Sequence, residues 1–174
     1  EVQRCDSCGY CAGSIGQAPP DARAVVESPV YCEVLQRSRL PKLARSLFCA
    51  ALVAESTGEA ETTGWWFLEA AWACDDKNAR AQARICRERA AEMFVRALET
   101  GETERPAPVM HTLIAEVWRR AGRFDEALTT MDRALEFTQS DAVSLRFESR
   151  IRTLMARDTI RLAAGLASVI EAEP

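Results

Sequence analysis

From Ser28 onward, apolar residues recur at intervals of three and four, and that period predicts a chain of helices. Ser28-Pro29 opens the series. Ser suits an N-cap and Pro at the first helical position gives up no bond, so a short helix is expected over 29–36. Pro41 restarts the chain as a helix carrying Leu43, Leu47, Ala50, Ala51 and Ala54 and ending near Gly58. Its middle is apolar on most sides, which predicts a central, buried element. The next segment, about 61–74, carries Trp65, Trp66, Phe67, Leu68 and Trp72, and its tryptophans are expected in the core. Asp75-Asp76 then offers an N-cap for a long helix to about Thr100. The stripe Ala79, Ala83, Cys86, Ala90, Phe94 and Ala97 would let another helix come close. Gly101 follows as a C-cap, and Pro106 and Pro108 mark the next start.

From Pro108 the pattern is helix, glycine turn, helix. Ile114, Val117, Trp118 and Ala121 form one stripe, and Phe124, Leu128, Met131 and Leu135 form the facing one. Ser140-Asp141 opens a last helix with Phe147, Ile151, Leu154, Met155, Leu162 and Leu166 on one side. No stretch alternates with period two, so no strand is expected. Residues 12–27, with two Gly and Pro19-Pro20, predict a linker or wrapped loop. The expected organisation is a Cys-containing irregular segment over 1–27 and an all-α domain over 28–174.

Residues 108–141 resemble a tetratricopeptide repeat. Ala115 stands at the small contact position of the first helix, Trp118 at the aromatic position, and Gly122-Arg123-Phe124-Asp125-Glu126-Ala127 across the turn. Ala134-Leu135 supplies the close-packed end of the second helix, while Gln139 and His111 depart from the usual Pro and Trp. Aligning Ala97-Leu98 with Ala134-Leu135 gives a weaker earlier copy with a longer second helix. The resemblance implies antiparallel helix pairs in a right-handed array, and a groove that takes an extended peptide or a partner helix. It would place Thr112, Glu116 and Arg119 in that groove. Glu116 stands where carboxylate-binding members carry Asn, which argues against capture of a free C-terminus.

The candidate chemistry lies in RCDSCGYCAG, residues 4–13. Two thiolates two residues apart can grip a tetrahedral ion, and the following Gly tolerates the turn that aims backbone N–H groups at sulfur. Cys5 and Cys8 provide two ligands; Cys11 and Cys32 are the nearby candidates for the third and fourth. Two readings stay open: zinc held by all four, or Cys5 and Cys8 as an orphaned half-site without metal. The C-x2-C-x2-C spacing also fits an iron–sulfur or dithiol redox role, although Ile15 stands where a fourth cluster ligand would fall. A CxxCGY knuckle ahead of tetratricopeptide-like helices is similar to a group of uncharacterised bacterial proteins. In those, the knuckle is one half of a zinc ribbon whose other half lies upstream, which implies zinc and a scaffold role. Glu1 in place of an initiating Met fits a processed chain or a fragment.

Bulk properties narrow the rest. The chain has 174 residues and a net charge of -4, which gives no electrostatic reason to expect nucleic acid or an anionic membrane as partner. The longest unbroken apolar run, Leu47 to Ala54, is far short of the roughly 20 residues that span a bilayer. Cys49, Cys74 and Cys86 fall within helical patterns, where free Cys acts as a small hydrophobe, and a reducing cytoplasm is the expected compartment. His111 is the single histidine and occupies a packing position; no nucleophile elbow accompanies it. Arg119, Arg120 and Arg123 are expected as a solvated helix end. A non-enzymatic protein-binding scaffold is the function these features predict, with a protein or peptide partner and a homodimer left open.

Overall fold

The computed structural model describes residues 1–37 and 39–136. Among these, β1 (Gln3–Arg4) and β2 (Cys11–Ala12) are followed by seven helices: α1 (Ala22–Val26), α2 (Pro29–Arg37), α3 (Lys42–Ser56), α4 (Ala60–Asp75), α5 (Arg80–Thr100), α6 (Ala107–Ala121) and α7 (Phe124–Glu136). The chain divides into two compact units, Glu1–Arg105 and Pro106–Pro174.

Helices α2 and α3 begin where the prolines place them. Ser28 caps α2, its hydroxyl accepting the Tyr31 N–H at 3.3 Å. The short strands are the first departure from a purely helical expectation. β1 and β2 pair antiparallel, Gln3 opposite Ala12 and Arg4 opposite Cys11. At two residues each they are too short to leave an alternating pattern. Within the expected loop over 12–27, Ala22–Val26 forms a helical turn, α1, with Ala22 buried.

In the first unit α4 packs against both α3 and α5. Its close approach to α5 depends on Gly64, where an added Cβ would lie 2.6 Å from the Phe94 ring. The stripe on α5 is fully buried at Ala83, Cys86, Ala90, Phe94 and Ala97. Gly101 ends α5 at φ 72, a left-handed conformation that costs Gly little. The Glu102 carboxylate then accepts the Ala60 N–H at 2.8 Å, so the first turn of α4 is capped from 42 residues away.

Three expectations are corrected here. Asp75-Asp76 does not cap α5: Asp75 is the last residue of α4, and its carboxylate pairs with Arg87 on α5. The chain needs the turn 76–79, including Asn78 at φ 54, before α5 can start at Arg80. Trp72 is 47% exposed and Leu43 is 57% exposed, because α3 and α4 each turn one side away from the core.

Among the described residues, two core clusters hold parts of this unit together. One joins Leu40, Leu47, Ala70, Cys74, Ala83 and Cys86 across α3, α4 and α5. The other joins Tyr10 and Cys11 to Tyr31, Cys49, Ala50 and Val53, so the N-terminal segment is part of the core beneath it. In the second unit, α6 and α7 form a hairpin around Gly122 at φ 78, with Ile114, Ala115, Ala121, Ala127 and Met131 buried. The last helix expected from Ser140-Asp141 lies outside the described residues, as does Gln139.

Candidate functional site

The β1–β2 turn builds the cysteine knuckle. Cys5 N–H donates to the Tyr10 carbonyl at 2.8 Å, and Gly9 N–H donates to the Cys5 carbonyl at 2.9 Å. Gly9 has φ +79, the left-handed conformation that favours glycine, and a Cβ there would lie 2.5 Å from Leu35 Cδ2 and oblige that side chain to shift. Inside the turn, the Cys5 sulfur lies 3.0 Å from the Ser7 hydroxyl. That bond, with the backbone N–H groups of Cys8 and Ser7 and the Cys8 thiol, lowers the Cys5 thiol to about 7. The knuckle thus favours a thiolate at Cys5, with Cys8 beside it.

Cys5, Cys8 and Cys32 line one cavity of about 630 Å³, together with the apolar Tyr10, Ile15 and Val26. Cys32 donates its S–H to the Val26 carbonyl at 3.4 Å. Cys11 points elsewhere. It is fully buried, and its thiol donates to the Gly9 carbonyl at 3.3 Å. Its backbone N–H donates to the Tyr31 hydroxyl at 3.0 Å, and that hydroxyl donates to the Gly9 carbonyl at 3.0 Å.

The neighbour of the Cys11 sulfur is Cys49, in the middle of α3. The hydrogen bond from the Cys49 thiol is the largest influence on Cys11; it outweighs burial and draws Cys11 down to about 6. The same bond, with burial, pushes Cys49 well above the ordinary thiol range. Burial likewise raises the Tyr31 hydroxyl. Of the four expected ligands, three therefore share a cavity and Cys11 joins a second thiol group in the core. Among the described residues no set of three or more His, Cys, Asp or Glu is placed to hold a metal ion. The residues fit a two-thiolate grip at Cys5 and Cys8, two donors fewer than tetrahedral zinc requires.

The expected groove residues lie on α6. Thr112 and Glu116 are half-buried and Arg119 is buried. Arg119 donates from Nε and Nη2 to the two Glu116 carboxylate oxygens at 2.8 and 2.7 Å, and Arg120 Nε adds a third bond at 2.7 Å. Burial raises the Glu116 carboxyl, but these guanidinium bonds more than offset it and hold the group below its ordinary range. Arg119 is thus no part of a solvated end; Arg120 and Arg123 are the exposed pair. The Arg123 guanidinium lies 5.6 Å from the Trp118 ring centre. His111 is buried at its packing position.

Sequence reasoning missed the roles of Cys49 and Tyr31. Both sit in helical apolar patterns, and only the folding of β2 onto α3 reveals their polar partner. Among the described residues no helix is long and apolar enough to cross a membrane. A family model for DUF2225, described as an uncharacterized protein conserved in bacteria, matches residues 27–160. No curated protein and no solved structure matches the chain.

Proposed function

We propose that this chain, which belongs to the DUF2225 family of proteins conserved in bacteria, is a non-enzymatic scaffold that binds a protein or peptide through tetratricopeptide-type helix pairs. The observation that carries the reading is the α6–α7 hairpin. Small residues, Ala115 and Ala121 on α6 and Ala127 on α7, are fully buried, and the left-handed Gly122 makes the turn between the two helices. Thr112 and the Glu116–Arg119 pair form the polar part of the binding face. Because Glu116 already neutralises Arg119, a partner would meet a hydrogen-bonding surface rather than a bare cation. Selection of displayed peptides against the chain tests this. Enriched peptides should lose about tenfold or more in affinity to Glu116→Arg, a change of about 1.4 kcal/mol. Peptides that bind wild type and variant alike, or a small molecule turned over by the chain, would overturn the reading. The free thiols fit a reducing, cytoplasmic setting.

A second reading is favoured by one observation: Cys5 and Cys8 lie on one tight turn, closed by the Gly9 N–H bond to the Cys5 carbonyl, and both line the same cavity, as the two thiols of a metal-gripping knuckle would. Here Cys5 and Cys8 are half of a zinc clasp that orders the N-terminus. Elemental analysis of purified chain and of the Cys5→Ser, Cys8→Ser double variant decides it. Zinc in the first and none in the second is expected, with a chelator lowering the melting temperature of the first alone. Equal zinc in both would sink it.

A further inference from the structure

We propose that the cavity beside the cysteine knuckle binds a neutral, apolar small molecule carrying one carbonyl group, whose oxygen accepts the Tyr10 O–H. At about 630 Å³ the cavity falls within the range that encloses small ligands. Its wall comes from three stretches of the first unit: the knuckle with Tyr10, the loop at Ile15, and α1 and α2 at Val26 and Cys32. Ile and Val offer a ligand no hydrogen bond, and a thiol offers a weak one, so the lining favours an apolar body. The Cys32 S–H is already given to the Val26 carbonyl at 3.4 Å. Two charged residues border the cavity, Arg23 and Glu27, and they pair with each other at 2.8 Å. Neither is left as a bare charge for an ionic ligand.

Tyr10 supplies the polar contact. The residue is 6% exposed, yet its hydroxyl has no hydrogen-bond partner among the described residues. Tyr31, in the same core cluster, shows the contrast: its hydroxyl accepts the Cys11 N–H and donates to the Gly9 carbonyl. A buried phenol O–H without a partner is costly, and a carbonyl in the cavity that Tyr10 borders supplies the missing acceptor. The neighbouring cavity, about 320 Å³, also touches Tyr10. Its lining includes Ser14, Gln17, Thr57 and Thr62, whose polar groups suit an apolar ligand poorly.

The walls stand without a ligand. The Cys5 N–H bond to the Tyr10 carbonyl at 2.8 Å closes the knuckle, and the Ser28 N–H bond to the Val25 carbonyl at 3.0 Å closes the end of α1. A site held in this way spends little binding energy on ordering itself. The inference rests neither on the α6 face nor on metal at Cys5 and Cys8.

The experiment uses the full chain, kept reduced, and two matched probes, butyrophenone and butylbenzene, which differ by a carbonyl in place of a methylene. Saturation-transfer NMR measures binding, and peptide mapping after alkylation with N-ethylmaleimide locates it. Butyrophenone should bind about tenfold more tightly than butylbenzene and slow the alkylation of Cys8 and Cys32. Tyr10→Phe should bring the two probes to similar affinity. Ala18 is exposed and borders the larger cavity but not the smaller one, so Ala18→Trp should fill the site and remove both probes. Should Tyr10→Phe fail to fold, the comparison of the two probes on the wild-type chain still decides the point. Equal affinity of the two probes for the wild type, no saturation transfer to either, or binding that survives Ala18→Trp would each overturn the proposal.

Discussion

At Gly64 a single hydrogen atom sets how closely α4 and α5 approach. An alanine methyl there would press on two atoms of the Phe94 ring, and that ring is pinned by Trp65 in an edge-to-face contact at 5.1 Å. Overpacking of this kind costs about 1–3 kcal/mol, and the better helix propensity of Ala returns about 1. Gly64→Ala should therefore lower stability by about 1 kcal/mol in urea titration, and Gly64→Val by more. Phe94→Leu in the Gly64→Ala background should recover part of the loss; strictly additive losses would show that the two sites do not touch. Glu116 carries a different prediction. Its carboxyl is held below the ordinary value of 4.5 in the folded chain, so its stabilising contribution is present above that value. The contribution is lost as pH falls through the lowered folded-state value. Glu116→Gln should flatten that part of the acid-unfolding curve, and an unchanged curve would assign acid sensitivity elsewhere.

Between elements, the α4–α5 junction shows what the sequence pattern can and cannot convey. Of the two, α5 was legible because its apolar stripe recurs at the helical period, and that Ala–Cys–Phe stripe is buried as the period requires, whereas α4 showed only as an apolar, Trp-rich segment. Asp75 was not legible. An acidic pair just before a long helix has the local signature of a cap, while the role it fills depends on Arg87, which reaches it only after the helices fold back. Arg87 is buried and its Nε has no hydrogen-bond partner among the described residues, while Asp75 supplies its ion pair across the junction. Asp75→Ala should cost about 1–3 kcal/mol, mostly the penalty of leaving Arg87 buried without its carboxylate. That range allows for the partial exposure of Asp75, whose side chain is 40% accessible. Asp76→Ala should stay within about 0.5 kcal/mol. Equal losses at both positions would restore the capping role. The cysteine site divides the same way: spacing announces the Cys5–Cys8 knuckle, but only tertiary structure takes Cys11 out of it and sets it against Cys49.

For the whole molecule, the N-terminal segment is where burial and sequence pattern diverge most. Residues 1–27 have almost no helical period, yet Tyr10, Cys11 and Ala22 are buried on Tyr31, Cys49 and Ala50. Local periodicity cannot report such burial, because the segment is held by side chains scattered along it, Val2, Val25 and Val26 among them, and by a few backbone bonds. The two clusters described above draw their members from Val2 to Cys86, all within the unit Glu1–Arg105. A fragment of residues 1–105 should therefore unfold cooperatively by itself, with a single transition by circular dichroism and tryptophan fluorescence. Removing residues 1–27 from that fragment would uncover the apolar face of α3. It would also strip the buried Tyr31 hydroxyl of both its partners. Burial of one Tyr and two small residues, added to the cost of an orphaned hydroxyl, comes to on the order of 3 kcal/mol. The shortened fragment should lose that much stability, or lose cooperativity altogether, and bind a hydrophobic dye the longer one does not. A fragment 28–105 as stable as 1–105 would mean that the cysteine segment is an appendage and α3 completes its core without it.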